Sequence, residues 1–233
     1  MIWVGLALLL GLLFLFLFWN IFVTQGAYFG KGVVRWFYDS GAEVYDQVKQ
    51  NSLTEEADWL GTPISERVLH HLRPQALLLD VAVGTARLPL ALFAVPNFQG
   101  KVMGLDLSPK MLAEASRNLT NYPTRSGLVR GESVPLPFPA ATFDAVSSIE
   151  ALEFMPDPHA ALREMVRVLR PGGWLVVTNR IGPMATLMPG RVDSPQAFAA
   201  FLISLGLGEI SNGPVKQYWG MDFYALVFAR KLT

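Results

Sequence analysis

The sequence predicts an α/β fold: a doubly wound, mostly parallel seven-stranded sheet with an antiparallel C-terminal strand, preceded by one transmembrane helix. Three observations predict it. From residue 64 on, apolar runs alternate with helix-like stretches, the order of strands joined by crossover helices. The last two apolar runs are separated only by a short turn near Gly220, so they pair antiparallel. At the other end, Ile2 to Val23 (IWVGLALLLGLLFLFLFWNIFV) is apolar apart from Asn20, and a bilayer span needs about 20 such residues.

The elements follow in order. Residues 1–30 carry no charged side chain. A cleaved signal peptide would need a basic start, a shorter apolar run and a small-x-small cleavage site, none of which is clear. A buried core helix is rarely apolar all round. Residues 1–24 are therefore expected to be a retained anchor, with the bilayer as a partner. Lys31 and Arg35 follow the span and only the α-amino group precedes it, which by the positive-inside bias puts the C-terminal bulk in the cytoplasm. Tyr28, Phe29, Trp36, Phe37 and Tyr38, interleaved with those two cations, suit a headgroup region or, equally, the start of the globular core.

Helical spacing of Ile64, Val68, Leu69 and Leu72 predicts a helix that stops before Pro74. A strand over 76–81 precedes a helix over 87–94, with Pro89 tolerable in its first turn. A strand over 101–105 leads to a helix from Pro109 to Asn118 capped by Ser108. Strands are read over 128–130 and 142–149, then a helix over 158–169, a PGG turn, and a strand over 174–179. A helix over 196–205 and strands over 210–218 and 223–229 close the chain.

Charge and composition narrow the function. Basic and acidic residues balance at 19 each, so no polyanion partner such as nucleic acid is expected. Cysteine is absent, which excludes thiol catalysis, disulfides and thiolate-bound metal. Of the three histidines, His70 and His71 point apart on a helix, so no metal site is expected.

In doubly wound sheets ligands bind at the carboxyl ends of the strands. Asp80, Asp106 and Glu132 end three successive strands, a pattern that packing does not need. Asp80 sits in the loop where a helix start would otherwise favour a phosphate, which argues for a ligand with cationic parts. Asp106 suits the two hydroxyls of a ribose, and Glu132 an exocyclic amine. Ribose, amine-bearing base and cationic tail together describe S-adenosylmethionine.

The motifs carry a resemblance. LLLDVAVGTARLPLAL, VMGLDLSPKMLAEA and the run from Phe143 to Asn179, with its RVLRPGG turn, resemble the successive motifs of class I S-adenosylmethionine-dependent methyltransferases, most closely the small-molecule, quinone-type branch. The resemblance implies a Rossmann-like domain over residues 64–233 and a juxtamembrane, cofactor-covering segment over 25–63. It places Asp80 and the backbone of Ala82, Gly84 and Thr85 by the methionine portion, and Asp106 on the ribose. Leu107 would press on the adenine, Glu132 and Ser133 lie at its edge, and Ile149 near the sulfonium. The acceptor it implies is small, and the anchor together with the loop IGPMATLMPG (Met184, Leu187, Met188) makes it lipophilic; those methionines could equally pack under the anchor.

Four departures stand out. Ala82 and Ala86 replace glycines of the loop, Glu132 replaces aspartate, and Phe154 stands where many relatives have histidine, removing one candidate base. Ala82 is expected at positive φ, and Ala86 at an ordinary φ inside the first helical turn. Glu150 and Glu153 read as helix-start residues answering the dipole, and Arg87 as a surface arginine. No residue is assigned as catalytic, although one of Tyr38, Asp39, Tyr45 and Asp46 in the covering segment is expected to touch the acceptor. The competing readings are a tethered fold that has lost turnover, supported by the two alanines, and a nicotinamide dehydrogenase, disfavoured because the G-x-G-x-x-G spacing is missing.

Overall fold

The computed structural model describes residues 2–49, 53–73, 75–96 and 98–232. Helix α1 (Ile2–Phe18) has no buried residue and runs on through a π-helical turn at Trp19–Val23. This is the one helix among the described residues long and apolar enough to cross a membrane. Helix α2 (Lys31–Gly41) follows after a short turn, and α3 (Tyr45–Lys49), α4 (Leu53–Glu56) and α5 (Thr62–Arg67) lead into the sheet. The helix expected from Ile64 ends at Arg67 and tightens into a 3-10 turn at Leu69–His71; Pro74, its expected stop, lies outside the described residues.

Then come β1 (Leu77–Val81), α6 (Arg87–Phe93), β2 (Lys101–Asp106), α7 (Pro109–Asn118), β3 (Ser126–Arg130), β4 (Phe143–Ser148) and α8 (Pro158–Val168). The chain ends with β5 (Leu169–Arg180), α9 (Pro195–Ser204), β6 (Leu207–Tyr218) and β7 (Met221–Lys231). Three helices start as proline chemistry dictates: Ser108, Asp157 and Ser194 each cap a backbone N–H, and proline fills the next position.

The seven strands lie in the order β3-β2-β1-β4-β5-β7-β6. The first five run parallel, while β7 is antiparallel to both β5 and β6. The last strand in the chain thus sits inside the sheet, and β6 forms the edge. The PGG segment is absorbed into β5 as a bulge, since Phe143 pairs Leu169 whereas Ala145 pairs Trp174.

Alternation along the central strands explains helices on both faces. Leu78, Trp174 and Val176 pack into one core layer; Leu79, Val81, Leu175 and Val177 pack into the other. The strand order reverses between β1 and β4, so a crevice opens at their carboxyl ends.

The end of α1 docks on the loop after β5. The Trp19 indole donates to the Leu187 carbonyl at 2.9 Å, and the Tyr28 hydroxyl to that of Pro189 at 2.7 Å. Met188 is fully buried with Ala27 and Phe154. Of the two readings of that loop, Met188 fits packing under the segment that follows α1, whereas Met184 packs against the core layer that holds Trp174.

Candidate active site

A cavity of about 580 Å³ lies at the crevice between β1 and β4, with α2 across it. Lys31, Val34, Arg35 and Tyr38, one face of α2 at helical spacing, form its roof, joined by Tyr45. Of the residues named from the sequence, Ala82, Gly84, Asp106, Leu107, Glu132, Ser133 and Ile149 line it. Asp80 and Thr85 are not among the lining residues.

Asp106 ends β2 with its carboxylate pinned on both oxygens. Oδ1 accepts the Ser108 N–H at 2.8 Å and Oδ2 the Gly84 N–H at 2.9 Å. Burial pushes this carboxyl up, and the backbone donors oppose the rise. The Leu107 N–H is a third backbone donor to this carboxylate, which keeps acceptor capacity for one further donor. Gly84 has φ 54°, and a side chain built there would meet no atom within 4 Å, so the loop leaves its backbone open on that side.

Asp80 lies within β1, beneath the cavity. The Ser147 hydroxyl donates to it at 2.9 Å, and burial raises its pKa to about 7. The Thr85 hydroxyl instead donates to Asp46 at 2.6 Å, and Asn118 holds the other Asp46 oxygen at 3.1 Å. Asp39 takes the Ser108 hydroxyl. The two covering-segment acids are therefore latches that tie the roof to the loops after β1 and β2, while Tyr38 and Tyr45 face the cavity. Burial raises the Tyr38 phenol well above its usual range. Glu132 is held by Lys31 at 2.7 Å, both side chains being about half exposed, so the pair adds at most ~1 kcal/mol.

Both loop alanines adopt left-handed backbone, Ala82 at φ 62° and Ala86 at φ 72°. For Ala82 this matches the expectation. For Ala86 it corrects it, because Ala86 is the residue before α6 and turns the chain into the helix rather than belonging to it. Left-handed alanine costs ~1 kcal/mol or more. The Ala86 methyl is fully buried, and its loss would cost ~0.8 kcal/mol, so Ala86→Gly should be nearly neutral. Ala82 is only half-buried, and Ala82→Gly should stabilise by ~1 kcal/mol, about 2–4 °C in Tm for a chain of this size. Differential thermal unfolding of the two variants checks this; equal shifts would disprove the strain argument.

Two further residues, Arg87 and Glu150, correct the sequence reading. Arg87 is not a surface arginine: its side chain is 16% exposed and lies 2.8 Å from Glu56 and 3.4 Å from Glu150. Glu150 and Glu153 are both buried; Glu153 lies in the first turn of a 3-10 helix, Leu152–Phe154, as expected, whereas Glu150 precedes it. Glu153 meets Arg180 at 3.4 Å and accepts from the Tyr224 hydroxyl. Burial raises its pKa, with Arg180 opposing the rise. The sequence carries no local sign of these pairings.

The fold and this cavity define an enzyme that binds a nucleoside cofactor at the switch point of a doubly wound sheet. Residues 79–177 match the methyltransferase domain family. The chain is 30% identical over 215 residues to the demethylmenaquinone methyltransferase of Desulfitobacterium hafniense, covering 87% of this chain and 83% of the relative. It is 40% identical over 113 residues to that of Staphylococcus haemolyticus, a match spanning 48% of this chain and 47% of the relative. Among solved structures, the cyclase SpnF superposes with a TM-score of 0.70 at 20% identity, over 88% of this chain and 97% of that one. The CurJ carbon methyltransferase gives 0.67 at 14% identity, over 84% and 59%. These two show the fold alone, since a cyclase and a methyltransferase share it. The chain belongs to the class I S-adenosylmethionine-dependent methyltransferases, in their quinone-type branch. Its cofactor is S-adenosylmethionine.

Proposed function

We propose that this methyltransferase acts on a small lipophilic acceptor at the membrane, with its catalytic domain, residues 64–233, on the cytoplasmic side. The observation that carries the reading is that the roof of the cavity, α2, is the first α-helix after the apolar α1. One face of α2 lines the cavity; on the other, Val33 and Trp36 are exposed, with Phe29 just before them. Apolar and aromatic side chains beside Lys31 and Arg35 suit the headgroup region. The relatives in Desulfitobacterium hafniense and Staphylococcus haemolyticus are named for a quinone, which supports an acceptor of that character.

The residues present fit the cofactor. Asp106 retains acceptor capacity for a ribose hydroxyl, and the bare backbone at Gly84 leaves room for close approach. The lining carries four acids, Asp106, Glu132, Glu150 and Asp157, against two cations, Lys31 and Arg35, a balance that favours a positively charged ligand. In this reading Ala82, Gly84, Asp106, Leu107, Glu132, Ser133 and Ile149 hold the cofactor directly, and Asp80 and Thr85 act from behind. Bound S-adenosylmethionine supplies an electrophilic methyl group on a sulfonium. The roof then excludes water, and the apolar wall of Val34, Ile149, Phe154 and Met155 receives the acceptor.

Two measurements test this. Full-length protein in native membranes should resist alkaline carbonate; release into the supernatant would remove the anchor. With methyl-labelled cofactor and a membrane lipid extract, label should enter the organic phase; label confined to water-soluble acceptors would refute the lipophilic acceptor.

A further inference from the structure

Strands β6 and β7 are joined by a two-residue turn, Trp219-Gly220, with Tyr218 paired to Met221 across it. Both turn residues are left-handed, at φ 53° and φ 73°, a pattern that asparagine followed by glycine fills without strain. A tryptophan in that place is strained, and it is 84% exposed, more than Trp36 at 66%. The ring is nevertheless held: Phe223 meets it edge-on at 5.7 Å, and Tyr218 lies tilted to it at 6.3 Å. Met221 on the other side of the turn is exposed as well. A strained backbone that holds a large apolar ring in water is not explained by the stability of the hairpin.

The turn lies at the same end of the sheet as the cavity. Arg180, the last residue of β5, pairs with Tyr224, so the start of β7 and the turn before it stand at the carboxyl ends of the parallel strands. The loop after β5 joins this tip to the end of α1. At its start the Ile181 N–H donates to the Phe223 carbonyl at 2.8 Å, and Gly182 runs so close to Asp222 that a side chain would strike its carbonyl oxygen. Further on, the same loop takes the Trp19 indole at Leu187 and the Tyr28 hydroxyl at Pro189. Trp19 and Tyr28 stack at 5.1 Å where the apolar run of α1 ends. Paired aromatics at the end of an apolar span are the arrangement of a membrane–water interface.

We propose that the Trp219 tip is a second lipid contact, its ring entering the headgroup region of the bilayer that α1 spans; this rests on reading α1 as a membrane anchor. Two contacts at the two ends of one loop hold the carboxyl end of the sheet, and with it the cavity, against the membrane surface. Lipid fits the tip better than a protein does. One tryptophan offers about 150–250 Å², against about 800 Å² a side for a specific protein interface. A tip tethered by α1 needs no such area, because the tether keeps it at high local concentration beside lipid. Indole suits this layer, since its body is apolar and its N–H still finds a partner there. The Asp222 carboxylate next to the turn, held by the Gln217 amide at 2.6 Å, makes a zwitterionic surface a better match than an anionic one.

The chain has no cysteine, so Met221→Cys carries a single environment-sensitive fluorophore beside the turn. Lys101→Cys, exposed at the amino end of β2, is the comparison. Full-length protein is reconstituted into phosphatidylcholine vesicles that hold lipid spin-labelled near the headgroup. The Met221 label should be quenched about threefold or more as strongly as the Lys101 label, at every protein-to-lipid ratio. Trp219→Asn, added to the Met221→Cys chain, removes the ring but suits the left-handed turn. Its thermal midpoint in detergent micelles should equal or exceed the parent's, while the excess quenching falls by about half or more. Equal quenching of the two labels in protein that floats with the vesicles, or undiminished quenching in Trp219→Asn, overturns the proposal and leaves the anchor standing. A marked fall in the midpoint of Trp219→Asn also overturns it, because the ring then serves the fold. Quenching replaced by a label signal that grows with the protein-to-lipid ratio assigns the tip to a second copy of the chain instead. Protein that does not float with the vesicles at all sinks the anchor reading, and the lipid contact with it.

Discussion

Replacing Arg87 with alanine should lower the unfolding free energy by about 3–5 kcal/mol, the range for breaking a buried ion pair from one side. The size follows from what is left behind. Glu56 and Glu150 have side chains 4% and 2% exposed, and Arg87 stands between them. Without it, two carboxylates remain in a low-dielectric setting, with Lys216 3.8 Å from Glu56 and the Tyr218 hydroxyl 3.1 Å from Glu150 as the weaker partners left to answer them. At about 2–4 °C per kcal/mol the Tm should drop by roughly 6–20 °C. Arg163→Ala serves as the control, since Arg163 and its partner Asp157 are both more than half exposed. That pair should be worth well under 1 kcal/mol. Thermal unfolding of the two variants in the same micelles decides the matter: equal small shifts would show that Arg87 is dispensable to the fold.

The same residues mark how far the sequence could be read. Order and type of the sheet elements were legible because the central strands are apolar runs and α7, α8 and α9 each open on a cap and a proline, as Ser108 and Pro109 show. Asp106 was legible because a strand end is a fixed place relative to the crevice. Arg87 was not, because its partners lie 31 and 63 residues away in the chain and no periodicity relates them. The latching contacts of Asp39 and Asp46 were likewise not legible, since the loops they hold are 69 and 39 residues further on. Ala86 turned on a single residue: one place further into α6 it would have ordinary helical φ. The position of β7 inside the sheet also escapes a local reading, because a hairpin fixes only that β6 and β7 are neighbours.

Asp106→Ala should weaken S-adenosylmethionine binding by about 10- to 100-fold, as expected for losing charge-assisted hydrogen bonds of ~1.5–3 kcal/mol. Two losses combine in that variant. The ribose loses its acceptor, and the N–H groups of Gly84 and Ser108 lose the oxygens that hold the two cofactor loops in register. Asp106→Asn separates them, because an amide keeps the shape and one acceptor oxygen but turns the other position into a donor facing an N–H. Its affinity should fall between parent and alanine if ribose recognition dominates, and match alanine if loop register does. Glu132→Ala removes a half-exposed carboxylate already held by Lys31, so its effect should stay within about fivefold, or ~1 kcal/mol. Calorimetric titration of the full-length protein measures all three. An Asp106→Ala variant that binds the cofactor as well as the parent would place the ribose elsewhere in the cavity and undo the assignment of the strand-end acids.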